Sequence, residues 1–174
     1  FFMGKKETND FWYKYIYVDA NDASCQNDEM KKRLLTNQTN KRWQKEGTLY
    51  GISRYSFVCL TNEEWFPENI IAVHMRTMYS RMIELILLQR ASRLRFSDEV
   101  TRQMIAFPKS KELKQPLLDQ VGSLHKEYIR FLNQIHFSEV TAQDQGIELY
   151  NLLYETLSIE NHIKELDEEI AELD

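Results

Sequence analysis

The side chains best suited to metal chemistry crowd one end of this chain. Glu165, Asp167, Glu168, Glu169, Glu172 and Asp174 all fall within its final turns. Carboxylates are hard oxygen ligands, and magnesium keeps much of its own water, so acids gathered from several copies of a helix would hold it weakly. The plainer reading is a solvated face. Glu165, Glu169 and Glu172 flank an apolar seam, whereas Asp167 and Glu168 point away from it. Nothing here closes a site, and no tightly bound cofactor is expected. His74, His125, His136 and His162 each lack the second histidine or cysteine, three or four residues away, that a zinc-binding helix needs. His136 has Glu139 within reach at a helix end, which reads as a cap. Cys25 and Cys59 sit in unrelated contexts and predict neither a metal site nor a disulfide. There is no GxSxG, no P-loop and no dinucleotide fingerprint. No catalytic constellation remains, so the chain is not expected to be an enzyme.

The acids ride on a long helix. Leu149, Leu152, Thr156, Ile159, Ile163, Leu166, Ile170 and Leu173 recur at alternating steps of three and four, the seam of a helix packed on others. Thr141 and Asp144 supply its start signal, a hydroxyl cap with an acid three residues on. The seam still runs at Asp174, where acids oppose the helix dipole, so the helix is expected to continue beyond it.

Upstream, Phe11 to Val18 is aromatic and β-branched and predicts a strand. Residues 19–28 read as a loop, and Asp28 opens a short helix with acids first and bases behind. Lys45 to Thr48 is a turn. Leu49 to Leu60 predicts strand, with a bulge or bend near Ser53 where the alternation changes phase. From Glu68 the period becomes helical. Ile71, Met75, Met78, Met82, Leu85, Gln89 and Leu94 approximate one face, widened by Val73, Ile83, Ile86, Leu87 and Leu88. Pro67 suits that helix's first turn, and Pro108 and Pro116 mark a break after it. A further helix follows from Leu117 to Phe137. The expected fold is α+β and predominantly helical: a short α/β portion followed by three long helices. The expected divisions are 1–66, an α/β portion; 67–140, two antiparallel arm helices; and 141–174, the start of a stalk helix.

The chain has 174 residues, 43% of them apolar, enough for a sizeable core. Its net charge of -5 disfavours nucleic acid and anionic membrane surfaces. No apolar run approaches the roughly 18 residues of a membrane span, so the chain is expected to be soluble, in a reducing compartment.

Three stretches resemble the cytoplasmic region of CorA-like magnesium transporters: HMRTMYSRMIELILLQRASRLRFSDEVTR (74–102), LHKEYIRFLNQIHFSEVTAQDQGIELYNLL (124–153) and IKELDEEIAELD (163–174). The string FSEVTAQDQGIELY at 137–150 is similar to that family's junction between arm and stalk, and FWYKYIYVDA through LYGISRYSFVCL to the end of its α/β portion. The resemblance implies a homopentamer on the cytoplasmic face of the inner membrane, with weak magnesium at subunit interfaces biasing a gate. The family's glycine-methionine-asparagine pore motif and both membrane spans are missing, so this chain alone would not transport an ion. Its expected role is therefore the regulatory, gating region of a magnesium or divalent-cation channel. The alternative is a soluble helical scaffold or adaptor that makes protein–protein contacts through the seam.

Overall fold

The structure, a computed structural model, describes residues 5–105, 114–135, 141–159, 164 and 168. They fall into two compact units. One runs to Ser80 and takes in Thr141–Leu157; the other begins at Arg81 and resumes at Ser158. The expected class holds: a small antiparallel sheet precedes a long joined helix and two further helices.

The first unit opens with a correction. Residues 11–17 lie in a helix, α1 (Lys5–Tyr17), and not in a strand. Its aromatic rings pair at helical spacing, Phe11 with Tyr15 and Tyr13 with Tyr17, the latter centroids 4.2 Å apart. Trp12, Tyr13 and Ile16 are buried on one side. The second helix, α2 (Asp28–Asn37), forms as expected, with Asn27 as its cap: the Asn27 side chain accepts the Met30 amide at 2.8 Å. Lys31 of α2 is buried and donates to Asp10 of α1, with Asp28 at 3.6 Å. The hydrogen bond to Asp10 holds the ammonium above its ordinary range, against the opposing effect of burial.

The expected strand 49–60 is a hairpin of two. β1 (Thr39–Asn40), β2 (Leu49–Ile52) and β3 (Phe57–Leu60) form an antiparallel sheet in that order, with Tyr50 opposite Cys59 and Gly51 opposite Val58. The bend near Ser53 is the hairpin turn, where the Ser53 amide donates to the Ser56 carbonyl at 2.9 Å. The expected turn at 45–48 also forms, and Gly47 supplies its left-handed residue at φ 67°.

The pleat then sorts the side chains. Leu49, Val58 and Leu60 join the core beneath α1 and α2, together with Trp12, Ile16 and Leu35. Tyr50 turns to the opposite face, where the Tyr79 ring meets it edge-on at 5.7 Å. Gly51 sits directly under α1. At the end of α1, the Ser53 and Ser56 hydroxyls both donate to the Ile16 carbonyl, one of the orphan acceptors of a helix C-terminus.

The long helical run starts at Pro67 as expected, but its first turns are loosened. Two π-type stretches, Pro67–Ile71 and Met75–Tyr79, flank the single turn α3 (Ala72–His74), and α4 (Ser80–Ile105) follows without interruption. The cause is local. Asn69, Thr77 and Ser80 each donate a side-chain hydrogen bond to the carbonyl four residues back, competing with the backbone ladder.

The first unit closes with α6 (Asp144–Thr156), whose Gly146, Leu149, Tyr150 and Leu153 are buried. Gly146 has no room for a β-carbon, because the Thr141 methyl already occupies that space. In the second unit, α4 packs on α5 (Lys114–Ile135). Val100 and Phe96 form a cluster with Val121, Leu124 and Tyr128, and the Phe96 and Tyr128 rings lie 4.9 Å apart. Pro116 falls in the first turn of α5, where a missing amide is harmless.

The approach of α1 to β2 is tight enough to test. A β-carbon on Gly51 would lie 2.7 Å from Ile16 Cδ1 and 3.0 Å from the Trp12 indole, and closer still to Ile16 Cγ1. Gly51→Ala is therefore expected to destabilise the fold by about 1–3 kcal/mol, the ordinary range for overpacking. Urea unfolding measures it. A midpoint equal to the parent's would show that α1 does not rest on the sheet backbone.

Candidate interaction surface

The interior holds several groups with reactive potential, and their surroundings suppress it. Tyr50, Tyr79 and Phe57 form an aromatic cluster with His74, whose ring stands edge-on to Tyr79 at 5.8 Å. The Tyr50 and Tyr79 hydroxyls are fully buried and near enough to influence one another, yet make no hydrogen bond of ordinary geometry. Burial first, and each other's presence second, push the Tyr50 phenol far above its usual value; burial also raises Tyr79. Burial pushes the neighbouring Cys59 thiol up to about 11. A thiol that holds its proton so firmly is a poor nucleophile at neutral pH. Cys25 lies beside a shallow cleft of about 360 Å³ lined by Tyr13, Ser24, Asn27, Met30 and Leu34, and its Sγ donates to the Asn27 carbonyl.

The charged groups with the most specific geometry hold α6 against the edge of the sheet. Arg42 pairs with Glu148 and reaches Asp144 at 3.5 Å, while the Asn40 amide donates to Glu148 at 3.1 Å. Asp144 and Glu148 stand one turn apart on α6, so one guanidinium spans both. The Arg42 guanidinium also lies 5.8 Å from the Trp43 ring centroid, which in turn packs on Phe66.

The cap expected from Thr141 and Asp144 is corrected by this arrangement. The N-cap of α6 is Gln143, without a side-chain bond; Thr141 accepts the Gln143 amide at 3.2 Å, and Asp144 is the first helical residue. The helix thus begins two residues later than expected. It does not need the capping box, because Asp144 is taken up by Arg42.

The expected seam divides in the same way. Leu149 and Ile159 are buried and Leu152 is half-buried. Tyr150, Leu153 and Leu157 are buried as well, so the stripe is rotated from the one expected. Nor is the helix continuous: α6 ends at Thr156, and Ser158 turns left-handed at φ 53°. Ile163, Leu166, Ile170 and Leu173 lie outside the described residues, as do His136, His162, Glu139 and all the terminal acids except the exposed Glu168.

The surface that sequence reasoning missed is on α4. Leu94 was expected on the apolar face and Leu87 and Leu88 were expected to widen it, but they are 51%, 51% and 48% exposed. Met82, Ile86, Gln89 and Val100 take the covered side. The two sets differ by about half a turn, so α4 carries apolar residues on opposite sides. The signal was available, because seven of the eight residues from Met82 to Gln89 are apolar or amide, with Glu84 alone placing solvent.

No protein-family model, curated protein or solved structure matches this chain. The expectation of a membrane-protein fragment serving an ion channel or metal-ion transport is corrected on this ground and two others. Among the described residues, no helix is long and apolar enough to cross a membrane, and no three His, Cys, Asp or Glu residues gather where a metal ion would be held.

The buried thiol makes stability sensitive to alkali. Unfolded, Cys59 ionises near its model-peptide value of 9.0; folded, it keeps its proton to about 11. Between those values the unfolded state binds fewer protons, so stability falls as pH rises, by about 2 kcal/mol once the roughly 2.7 kcal/mol of that interval is reduced for the thiol's partial exposure. Tyr50 and Tyr79 act in the same direction above their ordinary 10.0. Urea midpoints are expected to be level near neutrality and to decline from about pH 9, the onset moving upward in Cys59→Ala. An unchanged onset in that variant would exclude the thiol as its source.

Proposed function

We propose that this protein is a helical scaffold or adaptor that makes protein–protein contacts through the outward face of α4. The observation that carries this reading is the exposure of Leu87, Leu88 and Leu94 on a helix that already buries Met82, Ile86 and Val100 on its other side. A helix that needs only one apolar face to fold gains nothing for its own stability from a second. Leucines two turns apart, rimmed by Arg81, Glu84, Arg95 and Asp98, have the make-up of a small interface: an apolar centre with a polar edge.

A photoreactive benzoylphenylalanine at position 88 tests this directly. Irradiation in extract of the native host is expected to give a discrete, saturable protein adduct, identified by mass spectrometry. The same residue at Arg54, in the exposed hairpin turn, is the control. No adduct from position 88, or equal labelling from both positions, would remove the basis for the reading.

A further inference from the structure

Resting on that reading of α4, we infer that the partner is a second copy of this chain, bound antiparallel along the same helix. The outward face of α4 follows steps of three and four: Arg81, Glu84, Leu88, Ala91, Arg95 and Asp98. All six are exposed. This is the spacing of a seam that faces one direction along a helix. Its order of charge, basic then acidic in each half, is its own complement when read backwards. Folded about the midpoint between Leu88 and Ala91, it sets Arg81 against Asp98 and Glu84 against Arg95, opposite charges in both cases.

A two-fold axis at that midpoint turns this complementarity into an interface. Antiparallel pairing places Leu88 over Ala91 of the second copy, Glu84 over its Arg95 and Arg81 over its Asp98, each contact made twice by symmetry. Ala91 keeps the centre thin, so the two backbones can approach while Leu88 fills the space above it. Leu87 and Leu94 fall on one flank of the seam and meet their counterparts across the axis. A parallel pairing would instead set each residue against its own copy, Arg81 on Arg81 and Glu84 on Glu84, and like charges across a contact are disfavoured.

The groups retain their present partners in such a dimer. Arg81 lies 3.3 Å from Glu84 and Arg102 lies 2.7 Å from Asp98 within the helix, so the crossed pairs extend existing networks. Arg95 makes no ion pair among the described residues and gains its first one. The seam from Arg81 to Asp98 is about 26 Å long at 1.5 Å per residue. One helix face of that length buries less than a standard interface, so the dimer is weak and concentration-dependent.

Sedimentation equilibrium of the full chain, from micromolar to near-millimolar, tests the inference. The parent is expected to pass from monomer to dimer. Glu84→Arg and Arg95→Glu, each acting twice across the axis, are expected to weaken association about tenfold or more, and Leu88→Glu to abolish it. The decisive measurement is the exchange, Glu84→Arg with Arg95→Glu in one chain, which recreates the opposite-charge contacts and should restore dimer formation. Circular dichroism of every variant checks folding. The exchange carries both local helix penalties, so recovery cannot come from a better helix. A double variant as weak as the singles would overturn the register. A parent that stays monomeric at all concentrations, while position 88 still crosslinks a different protein, would overturn self-pairing and leave the adaptor reading standing. A monomeric parent with no adduct at position 88 would overturn both.

Discussion

The first unit depends on one missing side chain. Gly51 lets α1 rest on the backbone of β2, and the positions of the other elements follow from that approach. With Ile16 and Trp12 seated over the glycine, the C-terminus of α1 arrives beside the hairpin turn, where the Ser53 and Ser56 hydroxyls take up the Ile16 carbonyl. The Trp12 indole reaches Thr39 at 2.9 Å, which ties the edge strand to the same helix. A three-stranded sheet with strands this short has little stability of its own, and needs a helix on it to bury an apolar face. Burial here satisfies polar groups as well as apolar ones, because the helix end and the hairpin turn supply each other's hydrogen bonds.

That contact also explains the largest difference between sequence and structure. Phe11 to Val18 is a continuous aromatic run, and such a run fits a buried strand and a buried helix equally well until its neighbours are known. β-propensity argued for a strand. What prevails is the chance to put Trp12, Tyr13 and Ile16 on one side, facing a sheet surface lowered by Gly51. The bend at Ser53 was legible because the alternation changes phase there, though not that it reverses the chain into a hairpin, and α2 was legible because its charges follow the helix dipole. The start of α6 was legible only to within two residues. Thr141 and Asp144 have the spacing of a capping box, but Arg42, about a hundred positions away in sequence, competes for the acid. Long-range ion pairs of this kind leave no local trace.

The same limit applies to the candidate site. Periodicity identified α4 as a helix and Met82 and Gln89 as members of its covered face, but Leu87, Leu88 and Leu94 were assigned to that face too. A hydrophobic stretch wide enough to encircle a helix does not say which side is covered. The resemblance to a transporter's cytoplasmic helices rests on the same kind of amphipathic repeat, which any long packed helix produces. Spacing of three and four shows that a helix has a seam; what lies against the seam has to come from chemistry specific to this chain.

On α4 that chemistry is the order of the charges. An exposed leucine on a helix is common and signifies little by itself. Acids and bases alternating along a helix also stabilise it internally, and the Arg81–Glu84 and Asp98–Arg102 pairs do so here. Internal pairing, however, depends only on spacing within the helix and is indifferent to the sign order at the two ends. The spacing within each half would pair as well if the second half ran acidic then basic. The second half instead repeats the first, basic then acidic before Leu88 and basic then acidic after Ala91, so that the seam read backwards is its own complement. Local helix stability does not ask for that order. A two-fold contact with an identical helix does, because the axis brings each end of the seam against the other.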